Sequence, residues 1–385
     1  MIIRNRRFWV SIIGLLLCLS FIFTSGVVDF GREPHFIVQE ARVLTVDDSR
    51  LSPDPYVQGL YIGRQVIEIE ILSGDHSGQR FRIENTLSRF YNHQARVNME
   101  LLVAITPGGD GQVLHVDVFG HSRATFLYVF IGFFFLILLI VGRKKGLYSA
   151  ASLAFTLITI IFFMIPFILR GHSPVLFAVL AAALTTVFSF FLVSDVSVKS
   201  ASAIGGTMVG VASAGIISII AGRLGHISGM HLPHAEEVIF HAQEVIIRVP
   251  ELLFAGIIIA SLGAVMDVSM SISSAVFEMR ELNPKLGAKK LYQSGMNIGR
   301  DIMGTMANTL ILAFAGTSIT VMVIIVLYEL PYLRLINLNL LAIEIIQGLS
   351  ASIGLVLTVP VTAILAAVLS TKYNTKRGAK TGSKE

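Results

Sequence analysis

The chain has 385 residues, of which 54% are hydrophobic and only 14% charged, with a mean hydropathy of +0.74. A soluble domain carries about 25% charged residues, so this composition excludes an ordinary soluble protein and predicts an α-helical polytopic membrane protein. The formal charge of +5 does not point to nucleic acid, because the basic residues sit beside apolar runs, where they set membrane orientation.

Arg4, Arg6 and Arg7 precede an apolar run from Phe8 to Val28, at ~20 residues long enough to span a bilayer. The small residues Thr24, Ser25 and Gly26 would also suit a cleaved signal peptide. The run exceeds the usual signal core of ~7–15 residues, which favours a retained anchor over residues 1–28. The single cysteine, Cys18, lies inside it, so no disulfide framework or cysteine-rich metal site is available.

Residues 29–123 read differently. Period-two alternation in QVIEIEIL (65–72), QRFRIEN (79–85), RVNMELLVAI (96–105) and QVLHVDVF (112–119) predicts strands, with HFIVQEARVLTV (35–46) as a fifth. SGDHSG and PGGDG supply the turns. The prediction is a small, exported all-β barrel or sandwich, OB-like in size. It contains no lysine, and a structural or partner-binding role suits it better than nucleic-acid binding.

Seven further spans are predicted, near 124–142, 147–169, 174–194, 201–222, 252–279, 299–328 and 344–371, forming a bundle over 124–371 before a basic tail, 372–385. The total is about 8 transmembrane helices. Every lysine (Lys144, Lys145, Lys199, Lys285, Lys289, Lys290, Lys372, Lys376, Lys380 and Lys384) falls on the side shared with the N-terminal arginines. The positive-inside rule then puts both termini in the cytoplasm and the β-domain on the other side of the cell membrane.

Polar residues inside the spans are the candidate functional groups. Asp267, Ser271, Ser274 and Glu278 follow helical spacing and share one face. A carboxylate near a span's centre costs ~2.5–3.5 kcal/mol, so Asp267 is either a functional ionisable group or one half of an interhelical pairing. In the next helix, Asn297, Asp301, Thr305 and Asn308 share a face, with Arg300 about a quarter turn away. A short connection makes the two helices antiparallel neighbours, and a single polar seam between them is expected. Asp267, Ser271, Asn297, Asp301, Thr305 and Asn308 would line an ion or substrate pathway, with Glu278 and Arg300 as a structural ion pair. Gly206, Gly210 and Ala214 stand at four-residue spacing and predict close helix packing. The last span carries Glu344 and Gln347 at its outer end and Gly354 and Pro360 in its middle, where they either free backbone carbonyls around a site or kink the helix.

The loop HISGMHLPHAEEVIFHAQE (226–244) is rich in histidine. If helical after Pro233, it puts His234, Glu237, His241 and Glu244 on one face, a donor set suited to a divalent transition metal. No H-E-x-x-H motif supports this, and an amphipathic loop on the membrane surface explains the same residues.

GRKKG (142–146), LGAVMDVSMSI (262–272), SGMNIGRDIMGTMANTLILA (294–313) and SIGLVLTVP (352–360) resemble the YibE/F-like family of bacterial multi-pass membrane proteins. Asp267, Asn297, Arg300, Asp301, Thr305, Asn308 and Glu344 match its pattern. Gln347, where the family often has arginine, and the histidine-rich loop depart from it. The resemblance implies a permease-like membrane protein and assigns no reaction. The expected function is transport through an intramembrane carboxylate; the alternative is a scaffold or sensor whose β-domain binds a partner. No enzyme activity, cofactor or nucleic-acid partner is expected. The expected partners are the lipid bilayer, an ion or small solute, and a second copy or another membrane protein.

Overall fold

The computed structural model describes residues 14, 16–18, 20–21, 36–108, 113–194, 196–232, 234–241 and 247–381, with the side chains of 241 and 373–381 excepted. The predicted anchor (1–28) lies mostly outside them, as does Glu244. The chain divides into two compact units, Val28–Ile140 and Met1–Val27 with Val141–Glu385.

The first unit holds a five-stranded antiparallel sheet: β1 (Ile37–Pro53), β2 (Tyr61–Ile71), β3 (Arg80–Leu87), β4 (Glu100–Pro107) and β5 (Val113–His121). Its order is β3-β2-β1-β4-β5. Every strand expected from alternation is present, because each places an apolar residue at every second position on one face. Ala41 and Val43, Ile67, Ile69 and Ile71, and Leu101, Val103 and Ile105 form that buried face. Fully burying each of the large aliphatic side chains contributes ~1.5–3 kcal/mol. The sheet curls into an open half-barrel, aided by irregularities in β1 between Val43 and Thr45 and between Asp47 and Arg50. β3 and β5, at opposite ends of the sheet order, face each other across a cleft of about 450 Å³ lined by Arg82, Glu84, His115 and Asp117.

The helices follow in chain order. α1 (Ala124–Thr159) is continued by a π-turn (Ile160–Met164) and α2 (Ile165–Leu169). Next come α3 (Pro174–Ser194), α4 (Val198–Leu224), the short α5 (Ala235–His241), α6 (Val249–Leu282), α7 (Ala288–Thr317), α8 (Ile319–Leu327), α9 (Tyr332–Ile336) and α10 (Asn339–Thr381). Among the described residues, 5 helices are long and apolar enough to cross a membrane: Ala124–Leu169, α3, α4, α6 and Asn339–Lys372. The first is interrupted at Arg143 (φ 48°, ψ −127°), which lies between the spans predicted over 124–142 and 147–169.

The span predicted over 299–328 is not one straight helix. It is α7 and α8, bent by 62° at Ser318. Gly316, Thr317 and Ser318 stand at the bend, where the Ser318 N–H is shared between the Phe314 and Ala315 carbonyls (3.1 and 3.2 Å). Small and hydroxyl residues are recurrent causes of such breaks.

α6 and α10 form the centre of the second unit, with Ile257, Ile258, Val265, Ile272, Leu355 and Val359 buried between neighbours. α6 has Pro250 in its first turn, where no N–H is needed, and Glu251 beside it and Arg280 in the last turn suit the helix dipole. α4 starts at Ser197, whose hydroxyl accepts from the Ser200 N–H. Its small residues meet α10 closely, as their spacing predicted. Gly354 is explained by this contact rather than by a site, because a Cβ there would lie 2.6 Å from Ala214 Cβ and 2.7 Å from the Gly210 carbonyl. Pro360 is accommodated within a continuous α10.

Candidate functional site

Asp267 opens into a cavity of about 520 Å³ bounded by α1, α3 and α6. Ser149, Ser152 and Thr156 line it from α1, Ser189 from α3, and Met266 and Met270 from α6. The hydroxyls are ordered. Ser152 Oγ donates to Ser189 Oγ at 2.5 Å, and Thr156 Oγ1 donates to the Ser152 carbonyl at 3.0 Å. Met270 Sδ accepts from Ser194 Oγ at 3.3 Å and from Ser274 Oγ at 3.5 Å. The lining contains no lysine, arginine or histidine, and the Asp267 carboxylate has no hydrogen bond or ion pair within the described residues. Asp267 is itself exposed, and an acidic group that shares a pocket with hydroxyl and thioether acceptors suits a proton or a small cation.

The predicted seam between α6 and α7 is not formed. Ile272 and Val276, not Asp267, face α7, where they meet Gly299 and Gly295. Asn297, Asp301, Thr305 and Asn308 are exposed on the outer side of α7, and Ser271 is exposed on α6 outside the cavity lining. The cause is helical phase: Asp267 lies five residues before Ile272, about 140° round the helix. The expected Glu278–Arg300 ion pair is also absent among the described residues. Both side chains are exposed, and Arg300 Nη1 donates instead to Asn297 Oδ1 at 3.3 Å.

Residues 130–372 match the YibE/F-like protein family, and residues 40–118 match the YibE/F family N-terminal domain. The chain belongs to the YibE/F-like family. No curated protein and no solved structure matches it. With its apolar helices, this YibE/F-like chain is a membrane protein.

Two further predicted sites have different outcomes. Glu344 Oε2 is buried without a hydrogen-bond partner among the described residues, at an apolar pocket of about 290 Å³ that Ile311, Phe314 and Gly348 also line; Gln347 is not in that lining. In the histidine-rich loop, α5 forms where helix was expected, and His234 Nδ1 lies 2.9 Å from Glu237 Oε2, both side chains exposed. His241 ends α5, its side chain and Glu244 being outside the described residues. No group of three metal-ligand residues comes together among the described residues.

The hydroxyls that share a pocket with Asp267 in this YibE/F-like chain are not among the candidates that polar spacing within α6 and α7 singles out. Their signal was present, since Ser149, Ser152 and Thr156 stand at i, i+3 and i+7, one face of a helix.

Proposed function

We propose that this YibE/F-like protein is a transporter rather than an enzyme, with Asp267 as the group that takes up and releases a proton or small cation. The observation that carries the reading is the unpaired Asp267 carboxylate opening into a cavity lined by hydroxyls. A carboxylate within a span is a functional-site hypothesis by default, and here no group among the described residues compensates its charge. The topology that accompanies the reading has eight spans, both termini in the cytoplasm and the β unit outside, on the strength of the one-sided lysines.

The test is flux in liposomes. Purified protein should move an ion or proton under an imposed gradient, and Asp267→Asn, which keeps the shape and removes the titration, should be folded and inactive. A variant that retains the parent's flux would overturn the role of Asp267. A second reading, a scaffold or sensor, is favoured by the polar cleft between β3 and β5. It predicts no flux from the parent protein under any gradient, so the same measurement decides between the two.

A further inference from the structure

α7 turns its most polar side away from the described helices of its own unit. Asn297, Arg300, Asp301, Gly304, Thr305 and Asn308 are all exposed, while Leu291, Gly295, Gly299 and Leu310 are buried on the opposite side. The depth of this face follows from its neighbours. Gly295 packs against Ala363 of α10 and Gly299 against Val359, and further along Phe314 approaches Gly348. α7 therefore runs antiparallel to α10 beside residues 348–363, the middle of the apolar run Asn339–Lys372. At that depth the surroundings are hydrocarbon or protein, and an exposed guanidinium and carboxylate are unfavourable against hydrocarbon.

Among the described residues nothing supplies a covering partner. Asp301 makes no hydrogen bond or ion pair among the described residues, and Arg300 has only Asn297. Residues 124–141 contain no charged group. The described part of the N-terminal segment packs elsewhere, with Gly14 against Phe188 and the Phe21 ring 4.8 Å from that of Phe163.

We propose that this face is covered by the same face of a second copy of the chain, related by a twofold axis along the membrane normal. The charges favour that occupant. Arg300 and Asp301 are adjacent, so their depths differ by only ~1.5 Å. A twofold axis parallel to the helices sets Arg300 of each copy level with Asp301 of the other, giving two opposite-charge pairs and no net charge. One turn on, a Cβ built on Gly304 would have nothing within 4 Å, which leaves room for a second backbone. Small residues permit this close approach, and Thr305 and Asn308 offer hydrogen bonds across it. The inference rests on α7 alone and stands whether or not Asp267 carries an ion.

Disulfide trapping tests it. In a Cys18→Ser background, single cysteines at Gly304, Asn308 and Thr309 would be oxidised with copper phenanthroline, in native membranes and after purification into nanodiscs. Gly304→Cys and Asn308→Cys should give a species of twice the chain mass, several-fold more than Thr309→Cys, which is exposed but lies about 100° round the helix. Equal trapping at all three positions, trapping of a different mass, or none would overturn the proposal; these correspond to random collision, another protein and a lipid-facing surface. In the Asn308→Cys chain, Arg300→Asp should reduce trapping, and Arg300→Asp with Asp301→Arg should restore it. If the charge variants fail to fold, the three cysteine positions still decide.

Discussion

Gly210 of α4 and Thr358 of α10 stand so close that a Cβ on the glycine would overlap the threonine hydroxyl. The same holds for Gly206 and Thr362 one turn away. Thr358 Oγ1 cannot simply swing aside, because it donates to the Gly354 carbonyl of its own helix at 2.9 Å. Gly210→Ala is therefore expected to destabilise the protein by ~1–3 kcal/mol, the usual range for overpacking. Thr358→Ala in the same chain should recover most of the loss. Gly256→Ala serves as the control, since nothing lies within 4 Å of its Cβ position; in a helix interior that change should be neutral or stabilising by up to ~1 kcal/mol. Thermal unfolding of the purified protein in detergent would measure all three.

The β unit is expected to fold when residues 36–121 are expressed alone, around a polar hub at Gln65. This side chain is fully buried. Its amide nitrogen donates to Asp48 Oδ1 at 2.6 Å and to the Ala95 carbonyl at 3.0 Å. Its oxygen accepts from Asn85 Nδ2 at 3.1 Å and from the Ala95 N–H at 2.9 Å. Gln65→Leu keeps the volume but strands those partners, at ~1–3 kcal/mol for each group left buried and unpaired. A fall in the urea midpoint should follow, several times larger than for an exposed substitution such as Leu114→Gln. A chain over 36–121 that aggregates without unfolding cooperatively would contradict the prediction.

Stability of the β unit should also decline in mild acid, through His121. Burial holds its imidazole below the usual histidine range, with His93 and Arg123 adding to the effect. The His93 ring stands edge-on at 5.3 Å, and His121 Nδ1 is buried without a partner among the described residues. The folded state thus disfavours the protonated ring. Its contribution is fully present above the unfolded value of ~6.5 and is lost as pH falls below that toward the lowered folded value. Urea midpoints at pH 7.5 and 5.5 should differ in that direction, and His121→Asn should reduce the difference.

Glu344 offers a fourth test. Its buried, unpartnered Oε2 lies at an apolar pocket, so Glu344→Leu is expected to raise the thermal midpoint of the intact protein, by ~1–3 kcal/mol for removing one unsatisfied group. A lowered midpoint would mean that the carboxylate has a stabilising partner in the membrane.

How far the sequence disclosed this structure depends on which physical question each residue answers. Alternation in 65–72 determines which side of β2 is buried, and it put Gln65 in register with Ile67, Ile69 and Ile71. It could not reveal that Gln65 is satisfied by Ala95 and Asn85, since those partners lie 30 and 20 residues away. In the helices, spacing correctly grouped Asn297, Asp301, Thr305 and Asn308 on one face. It could not say which neighbour that face meets, because rotating a whole helix about its axis leaves the spacing unchanged. That is why Asp267 was paired with α7, although it opens toward α1 and α3. The small residues of α4 were more informative, since close approach to another helix is the main use of such a stripe in a membrane. The bend at Ser318 is written in Gly316, Thr317 and Ser318, but within an apolar run such residues are common in unbroken spans as well.

The strand order also governs the timing of folding. β1 is made first yet lies at the centre of the sheet, between β2 and β4. β2 follows soon after it, but Arg42 of β1 meets Glu100 of β4 across 58 residues of intervening chain. At a synthesis rate of ~5–20 residues per second, one edge of β1 waits roughly 3 to 12 seconds for its partner. Through that interval it is an unpaired template for any other extended chain. The vulnerable moment for this domain therefore comes during its own production, before β4 has emerged to cover the first strand.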